Sequence, residues 1–375
     1  MRHLLGGKPP SGPEGHQNNF DALRLLLAIA VVFGHSWPIV RGVQTMDPWT
    51  HDPLFRLTFL QYNSAYVAVN CFFAISGYLI AGSWERSQST LDFIQRRILR
   101  IYPAFVLVTL FCALIVGPLF SAQRNYWSDL SFVRLGVGVL LLSKPAIPPV
   151  FPANPFHEAA GSLWTIPYEF GCYLLIPILA YLSGERLRWV IAILAVIAVG
   201  MFWAQHFGKL SAHSDLPIIG DVWNWPRFLA CFLVGATIWL FQDRIVLTRK
   251  GAIISLVILL AAMWYRQIGG VFPVFGTYLI LAIGVDKWPK VSGNLRGQDW
   301  SYGTFCFSYP IQQMIVAIGA PTISSPWIVF CLALPLSFLF AAASWNFVER
   351  PALHLKAVRT PTKEVKASTC AEAPP

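Results

Sequence analysis

Long apolar runs separated by short polar stretches dominate the chain, and their length predicts helices rather than strands. A helix that crosses a bilayer needs about 20 mainly apolar residues, with a range of roughly 17 to 25. Runs of this kind fall at 20–40, 65–82, 101–120, 163–183, 187–204, 227–241, 251–265, 271–285, 301–319 and 326–347, those near 227, 251 and 271 being short. An eleventh run, 132–142, is too short to cross unless its flanks are recruited. The pattern predicts an all-α integral membrane protein with about ten transmembrane helices.

Composition agrees. Hydrophobic residues make up 55% of the chain and charged residues 12%, where a soluble domain carries about 25% charged residues. Residues 1–19 are polar and hold Gly and Pro, so the first helix is expected to act as its own insertion signal. The net charge of +10 is spread over loops instead of being gathered on a soluble module, which argues against a nucleic-acid partner. Membrane topology explains it better. If 132–142 does not cross and the N-terminus is cytosolic, most Lys and Arg fall on the cytosolic side; if it crosses, every later loop swaps sides.

The expected organisation is therefore a cytosolic segment 1–19, a membrane domain 20–350 and a disordered cytosolic tail 351–375, with both termini cytosolic and no appended soluble domain. Within the membrane domain, 121–162 forms a long Pro-rich extracytoplasmic loop in which 132–142 is an interfacial or re-entrant piece. Six cysteines (Cys71, Cys112, Cys172, Cys231, Cys306 and Cys331) sit inside apolar runs and Cys370 in the tail, with no metal-ligand spacing among them. They read as small buried hydrophobes, and no metal is expected.

The first run carries the most informative chemistry. Arg24 and His35 stand eleven residues apart, which returns His35 to within about 20° of Arg24 around a helix. Asp21 lies about 40° from His35 on the same wheel. Ionisable groups are costly in hydrocarbon, so this stripe reads as part of a site. Arg24 falls near the cytosolic face and His35 about 8 Å below the outer one. Glu169 lies about 9 Å below the outer face, a depth shared with His35. A neutral imidazole there suits a general base, and a neighbouring carboxylate could orient it. The plainer alternative is a buried His and Glu that merely satisfy each other.

Arg96, Arg97 and Arg100 stand just before the third run, with Arg96 and Arg100 on one helix face. They could clamp a phosphorylated ligand through forked donors, or simply anchor a cytosolic loop. Ser76-Gly77 break the second run with small residues, which suits close helix packing or a substrate tunnel. Trp223, Trp225 and Arg227 are placed at the outer face, as interfacial residues or as a sugar platform. Glu349 and Arg350 close the last run and could pair or cap.

These residues together resemble the acyltransferase 3 family of membrane O-acyltransferases, which acetylate bacterial surface and secreted glycans. The resemblance is carried by Asn19-Phe-Asp21-Ala-Leu-Arg24 through His35, by Phe72-Phe-Ala-Ile-Ser76-Gly77-Tyr-Leu-Ile, and by Arg96-Arg97-Ile-Leu-Arg100-Ile-Tyr-Pro103. It continues through Leu163-Trp164-Thr-Ile-Pro-Tyr168-Glu169, Ser301-Tyr302-Gly-Thr-Phe305 and Glu349-Arg-Pro351. The chain departs at Ser308-Tyr309-Pro310, where many members carry His two positions before Pro, so no role of that His carries over. The resemblance implies acetyl-CoA as a cytosolic co-substrate held by Arg24, Arg96, Arg97 and Arg100. It implies a catalytic pair His35 and Glu169, and acceptor contacts from Asp21, Ser76, Gly77, Trp164, Tyr168 and Arg227. The acceptor would be a hydroxyl of an extracytoplasmic glycan, free or lipid-linked, and the location the bacterial inner membrane. A rival reading is a glycan or lipid transporter whose Arg/His/Glu stripe lines a polar path. Transporters often show repeated halves, and residues 20–180 and 187–347 show no convincing repeat.

Overall fold

The computed structural model describes residues 18–42, 51–209, 215–216, 220–286 and 298–357. The N-terminal segment up to residue 17 and the tail beyond 357 lie outside the described residues. Among the described residues the regular structure is helical apart from one antiparallel pair of two-residue strands, Asp215–Leu216 with Gly220–Asp221, in the register Asp215 to Asp221 and Leu216 to Gly220, and a single bridge between Ser121 and Val150.

Helix α1 spans Phe20–Arg41, α2 Pro53–Leu57, α3 Ser64–Arg86 and α4 Thr90–Phe111. A π-helical turn, Cys112–Val116, joins α4 to α5, Gly117–Phe120. The short helices α6, Tyr126–Asp129, and α7, Phe132–Leu140, follow. After a 3-10 turn at Gly161–Thr165 come α8, Ile166–Ser183, α9, Leu187–His206, α10, Trp225–Leu240, and α11, Arg249–Trp264. Helix α12, Ile268–Val271, runs through a π turn into α13, Thr277–Val285. Then come α14, Ser301–Gly319, α15, Pro326–Ser344, a third π turn at Trp345–Glu349, and α16, Arg350–Ala357.

Among the described residues six stretches are long and apolar enough to cross a membrane: Phe20–Arg41, Ser64–Arg86, Thr90–Phe120, Gly161–His206, Ile268–Val285 and Pro326–His354. The chain is thus a multi-pass, all-α membrane protein. The fourth stretch holds both α8 and α9, which meet at Gly184. Helices α10 and α11 have 16 residues each. Helix α7 has nine residues, which at ~1.5 Å per residue cannot reach across a bilayer core of about 30 Å.

Side chains are sorted as a bilayer solvent requires. Large apolar residues such as Ile193, Val196, Val257, Leu336 and Leu339 face outward. Asn70, Thr109, Gln312, Gln313 and Glu349 are buried inside the bundle. Of the six described cysteines five are buried, while Cys331 is exposed on the outer side of α15, contrary to its expected burial.

Two close approaches set the frame. A Cβ on Gly77 of α3 would stand 1.9 Å from the Phe232 carbonyl oxygen, and one on Gly235 of α10 would stand 2.2 Å from that of Ala74. Backbone therefore touches backbone at both crossings, and Phe73 stacks on Phe228 at 4.1 Å between them. A Cβ on Gly34 of α1 would meet the Ala65 nitrogen at 2.6 Å, so α1 lies against the start of α3 at the residue before His35.

Candidate active site

At the His35 end, the imidazole sits edge-on to Tyr309 of α14, with ring centroids 5.4 Å apart. It lines a cavity of about 290 Å³ together with Asn63, Ala65, Glu158, Gly161 and Tyr309. The α1 turn that carries it is gripped from α14. Gln312 Nε2 donates to the Val32 carbonyl at 2.7 Å and to Ser36 Oγ at 2.8 Å. One residue on, Gln313 Nε2 donates to the carbonyls of Phe156 and Glu158, fixing the cavity's other wall. Glu158 is ion-paired to Lys144 at 2.7 Å. The cavity thus combines a ring nitrogen, a carboxylate and a phenol in one concave space.

The opposite end of α1 meets three positions that are far away in sequence. Arg24 Nη1 lies 3.0 Å from Asp299 Oδ2, and Arg100 of α4 donates to the same oxygen. The other carboxylate oxygen accepts from the Ser301 backbone N–H at 3.1 Å and from the Ser301 hydroxyl. Burial alone would raise the Asp299 carboxyl, but Arg100 and Arg24 outweigh it and hold the group well below the usual carboxylate range.

The other two arginines go elsewhere. Arg96 pairs with Asp92 at 2.8 Å, one turn back on α4. Arg97 donates to Ser83 Oγ at 3.3 Å, its guanidinium lies 5.7 Å from the Phe93 ring and 5.9 Å from Tyr173, and its Nε is buried with no partner. Arg96 and Arg100 share a helix face as expected, yet they serve different carboxylates. Glu349 is buried in its π turn, where it accepts from Ser344 Oγ at 2.7 Å instead of pairing with Arg350; its second oxygen has no partner.

Glu169 belongs to neither end. It accepts a short hydrogen bond from the Tyr173 hydroxyl and lies 3.4 Å from Ser76 Oγ. Ser76 stands eleven residues along α3 from Ala65, which lines the His35 cavity; at ~1.5 Å per residue that is roughly 16 Å along the helix. The equal depth expected for His35 and Glu169 is therefore replaced by an offset. The cause is local: the 3-10 turn Gly161–Thr165 begins at the His35 cavity, which Gly161 lines, and Glu169 follows it by another helical turn. Through Tyr173, Glu169 is linked toward Arg97.

The remaining expected contacts divide. Ser76 joins Glu169, whereas Gly77 beside it is used by helix packing. Tyr168 is buried, donates to the Asp221 carbonyl at 3.0 Å, and packs against Trp164, Trp225 and Phe228. Arg227 is buried inside the bundle, with its guanidinium carbon 4.2 Å from the Tyr66 ring centroid and 4.3 Å from that of Phe228. Asp21 lies in the first turn of α1, half-buried. Among the described residues no group of three His, Cys, Asp or Glu side chains could hold a metal.

A family model described as an acyltransferase domain matches residues 17–345. The chain belongs to the acyltransferase 3 family. It is similar to an O-acetyl transferase of Shigella phage Sf6, 27% identical over 342 residues that cover 89% of this chain and 96% of that protein. It is also similar to nodulation protein 10 of Rhizobium leguminosarum bv. viciae, 28% identical over 369 residues covering 91% and 95%. The O-acetyltransferase OatA of Staphylococcus aureus (strain NCTC 8325 / PS 47) is 23% identical over 339 residues, 80% of this chain and 54% of that longer protein. No solved structure matches.

In this acyltransferase, several site residues carry no motif. Asp299 stands in a polar link between apolar runs, and its partner Arg24 is 275 positions away. Glu158 is one acidic residue in a long loop. Gln312 and Gln313 are different: two amides inside an apolar run bear the same intramembrane-polar signal as His35. Tyr309 and Tyr173 look like ordinary aromatic span residues until the packing shows where their rings lie.

Proposed function

We propose that this acyltransferase moves an acetyl group from acetyl-CoA in the cytosol to a hydroxyl of an extracytoplasmic glycan, free or lipid-linked, across the bacterial inner membrane. The observation that carries this reading is the α1 stripe, with Arg24 in an arginine cluster at one end and His35 in a cavity at the other. It is supported by the family and by relatives named as O-acetyl transferases. The Lys/Arg distribution supports ten spans with both termini and the arginine end in the cytosol.

At the cytosolic end, Arg96 and Arg97 fit the donor's phosphates: Arg96 is reachable and Arg97 holds a buried Nε without a partner. Arg24 or Arg100 would join them once Asp299 gives up one of its two guanidiniums. Tyr173, Glu169 and Ser76, hydrogen-bonded to one another between the two ends, would hold the pantetheine arm. At the outer end the His35 ring accepts the proton of the acceptor hydroxyl. The oxygen attacks the thioester carbonyl carbon, the C–S bond breaks, and the CoA sulfur leaves with the electron pair and is then protonated. Tyr309 and the Gln312 grip hold the imidazole in place, and Glu158 is the carboxylate that the cavity offers to the imidazolium.

The test is direct. Membranes containing the chain are incubated with acetyl-labelled acetyl-CoA, and alkali-labile label is followed into polysaccharide. Label in glycan with wild type and none with His35→Ala supports the assignment; movement of glycan across the membrane without label would replace it by a transporter.

A further inference from the structure

We infer that Arg227 is the recognition point for an acidic group on the acceptor, a carboxylate or a phosphate borne by the sugar that receives the acyl group. This rests on the acyl-transfer reading and narrows its substrate to an acidic glycan.

Arg227 is the one buried guanidinium among the described residues with no polar partner at all. Arg24 and Arg100 share Asp299, and Arg97 has Ser83. Arg227, only 8% exposed, has ring faces alone: Tyr66 at 4.2 Å, Phe228 at 4.3 Å and Trp164 at 5.9 Å. Its Nε is buried without an acceptor. A guanidinium keeps its proton in any protein environment, so the charge persists. Ring faces offset part of the cost of burying it, but they give no lone pair along the N–H directions. The site is short of one anion.

One further buried polar atom without a hydrogen-bond partner lies on α3: Asn70 Oδ1, one turn along from Tyr66. Asn70 is more than nine-tenths buried. A cation and an amide oxygen set near aromatic faces match an acidic pyranose: the anion takes the guanidinium, a hydroxyl takes the amide, and the ring lies on an aromatic face.

The place suits an acceptor. Tyr66 is next in sequence to Ala65, which lines the His35 cavity. Trp164 stands three residues after Gly161, another lining residue, and in a 3-10 turn positions three apart share a face. A sugar held by Arg227 would therefore lie next to the wall of the cavity that His35 lines.

The test needs no acyl donor. The purified full chain in detergent is titrated with methyl glucuronide, glucose 1-phosphate and the neutral methyl glucoside, following the thermal unfolding midpoint. At least one acidic probe is expected to bind wild type more tightly than the glucoside does, and to lose about tenfold or more in affinity in Arg227→Gln, about 1.4 kcal/mol. Arg227→Lys keeps the charge without the fork and should fall between them; it also serves if the Gln variant does not fold. A stronger response to glucuronide marks a uronic acid, and one to glucose 1-phosphate marks a phosphate-linked sugar. Equal binding of the acidic probes by wild type and variants, or none by wild type, overturns the inference. Either result leaves the acyl-transfer reading to its own labelled-acetyl test.

Discussion

His35 owes its position to one neighbour that holds its helix and another that packs on its ring. Gln312 fixes the turn beneath it and Tyr309 meets it edge-on, while the nearest carboxylate lining its cavity is Glu158. Removing the imidazole should cost the proton-transfer contribution, about 10² to 10⁴ in rate. We expect His35→Gln to lose that much labelled transfer while its unfolding midpoint in detergent stays within a few degrees of wild type. Asp299 behaves in the opposite way, because its carboxylate separates two guanidiniums. Asp299→Asn leaves Arg24 and Arg100 facing each other; the three groups are partly exposed, so the loss should fall below the roughly 3–5 kcal/mol of a fully buried pair. The sign of the pH dependence follows from the lowered carboxyl. A group whose native pKa is depressed stabilises the fold above its unfolded value, about 3.9, and that stabilisation fades as the pH falls from there toward the native value. The midpoint gap between wild type and Asp299→Asn should thus hold from pH 8 to 5 and narrow only below about pH 4.

At the scale of elements, the α3–α10 crossing is the least forgiving contact. Gly77→Ala drives a methyl into the Phe232 carbonyl, so α3 and α10 must separate; overpacking of this kind costs about 1–3 kcal/mol. Gly136→Ala in α7 meets nothing within 4 Å and should be neutral or slightly stabilising, since Ala favours a helix over Gly by roughly 0.5–1 kcal/mol. Fluorescence-detected size exclusion of both variants after heating would show the contrast. The same scale shows what the sequence could tell. Helix α1 and its stripe are readable because one 3.6-residue period places Arg24, His35 and Asp21 without outside help. The failure of α7 to cross follows from its length. The partners at either end of the stripe are not readable, because Asp299 and Glu158 reach α1 through loops whose paths no local pattern encodes. The separation of Glu169 from His35 is hidden for a related reason: the run's start gives no sign that Gly161 already lines the His35 cavity, so that Glu169 falls beyond it.

For the molecule as a whole, the orientation is testable at two exposed sites. With the arginine end inside, a cysteine introduced at Gln123 should react with an impermeant maleimide on intact cells, and one at Gln88 only after permeabilisation; the reverse pattern would turn the protein over. The ion-paired mouth has a further consequence, for the membrane's energy. A protein with titratable groups at both ends of one helix risks becoming a proton wire that drains the gradient of the cell housing it. The Arg24–Asp299–Arg100 cluster works against this, since a carboxylate clamped by two guanidiniums stays charged and passes no proton, while the fixed positive charge around it repels hydronium. Liposomes holding wild type should therefore keep an imposed pH gradient, and those holding Asp299→Asn should lose it faster, so the bonds that organise the Arg24 end of α1 would also keep the membrane insulated.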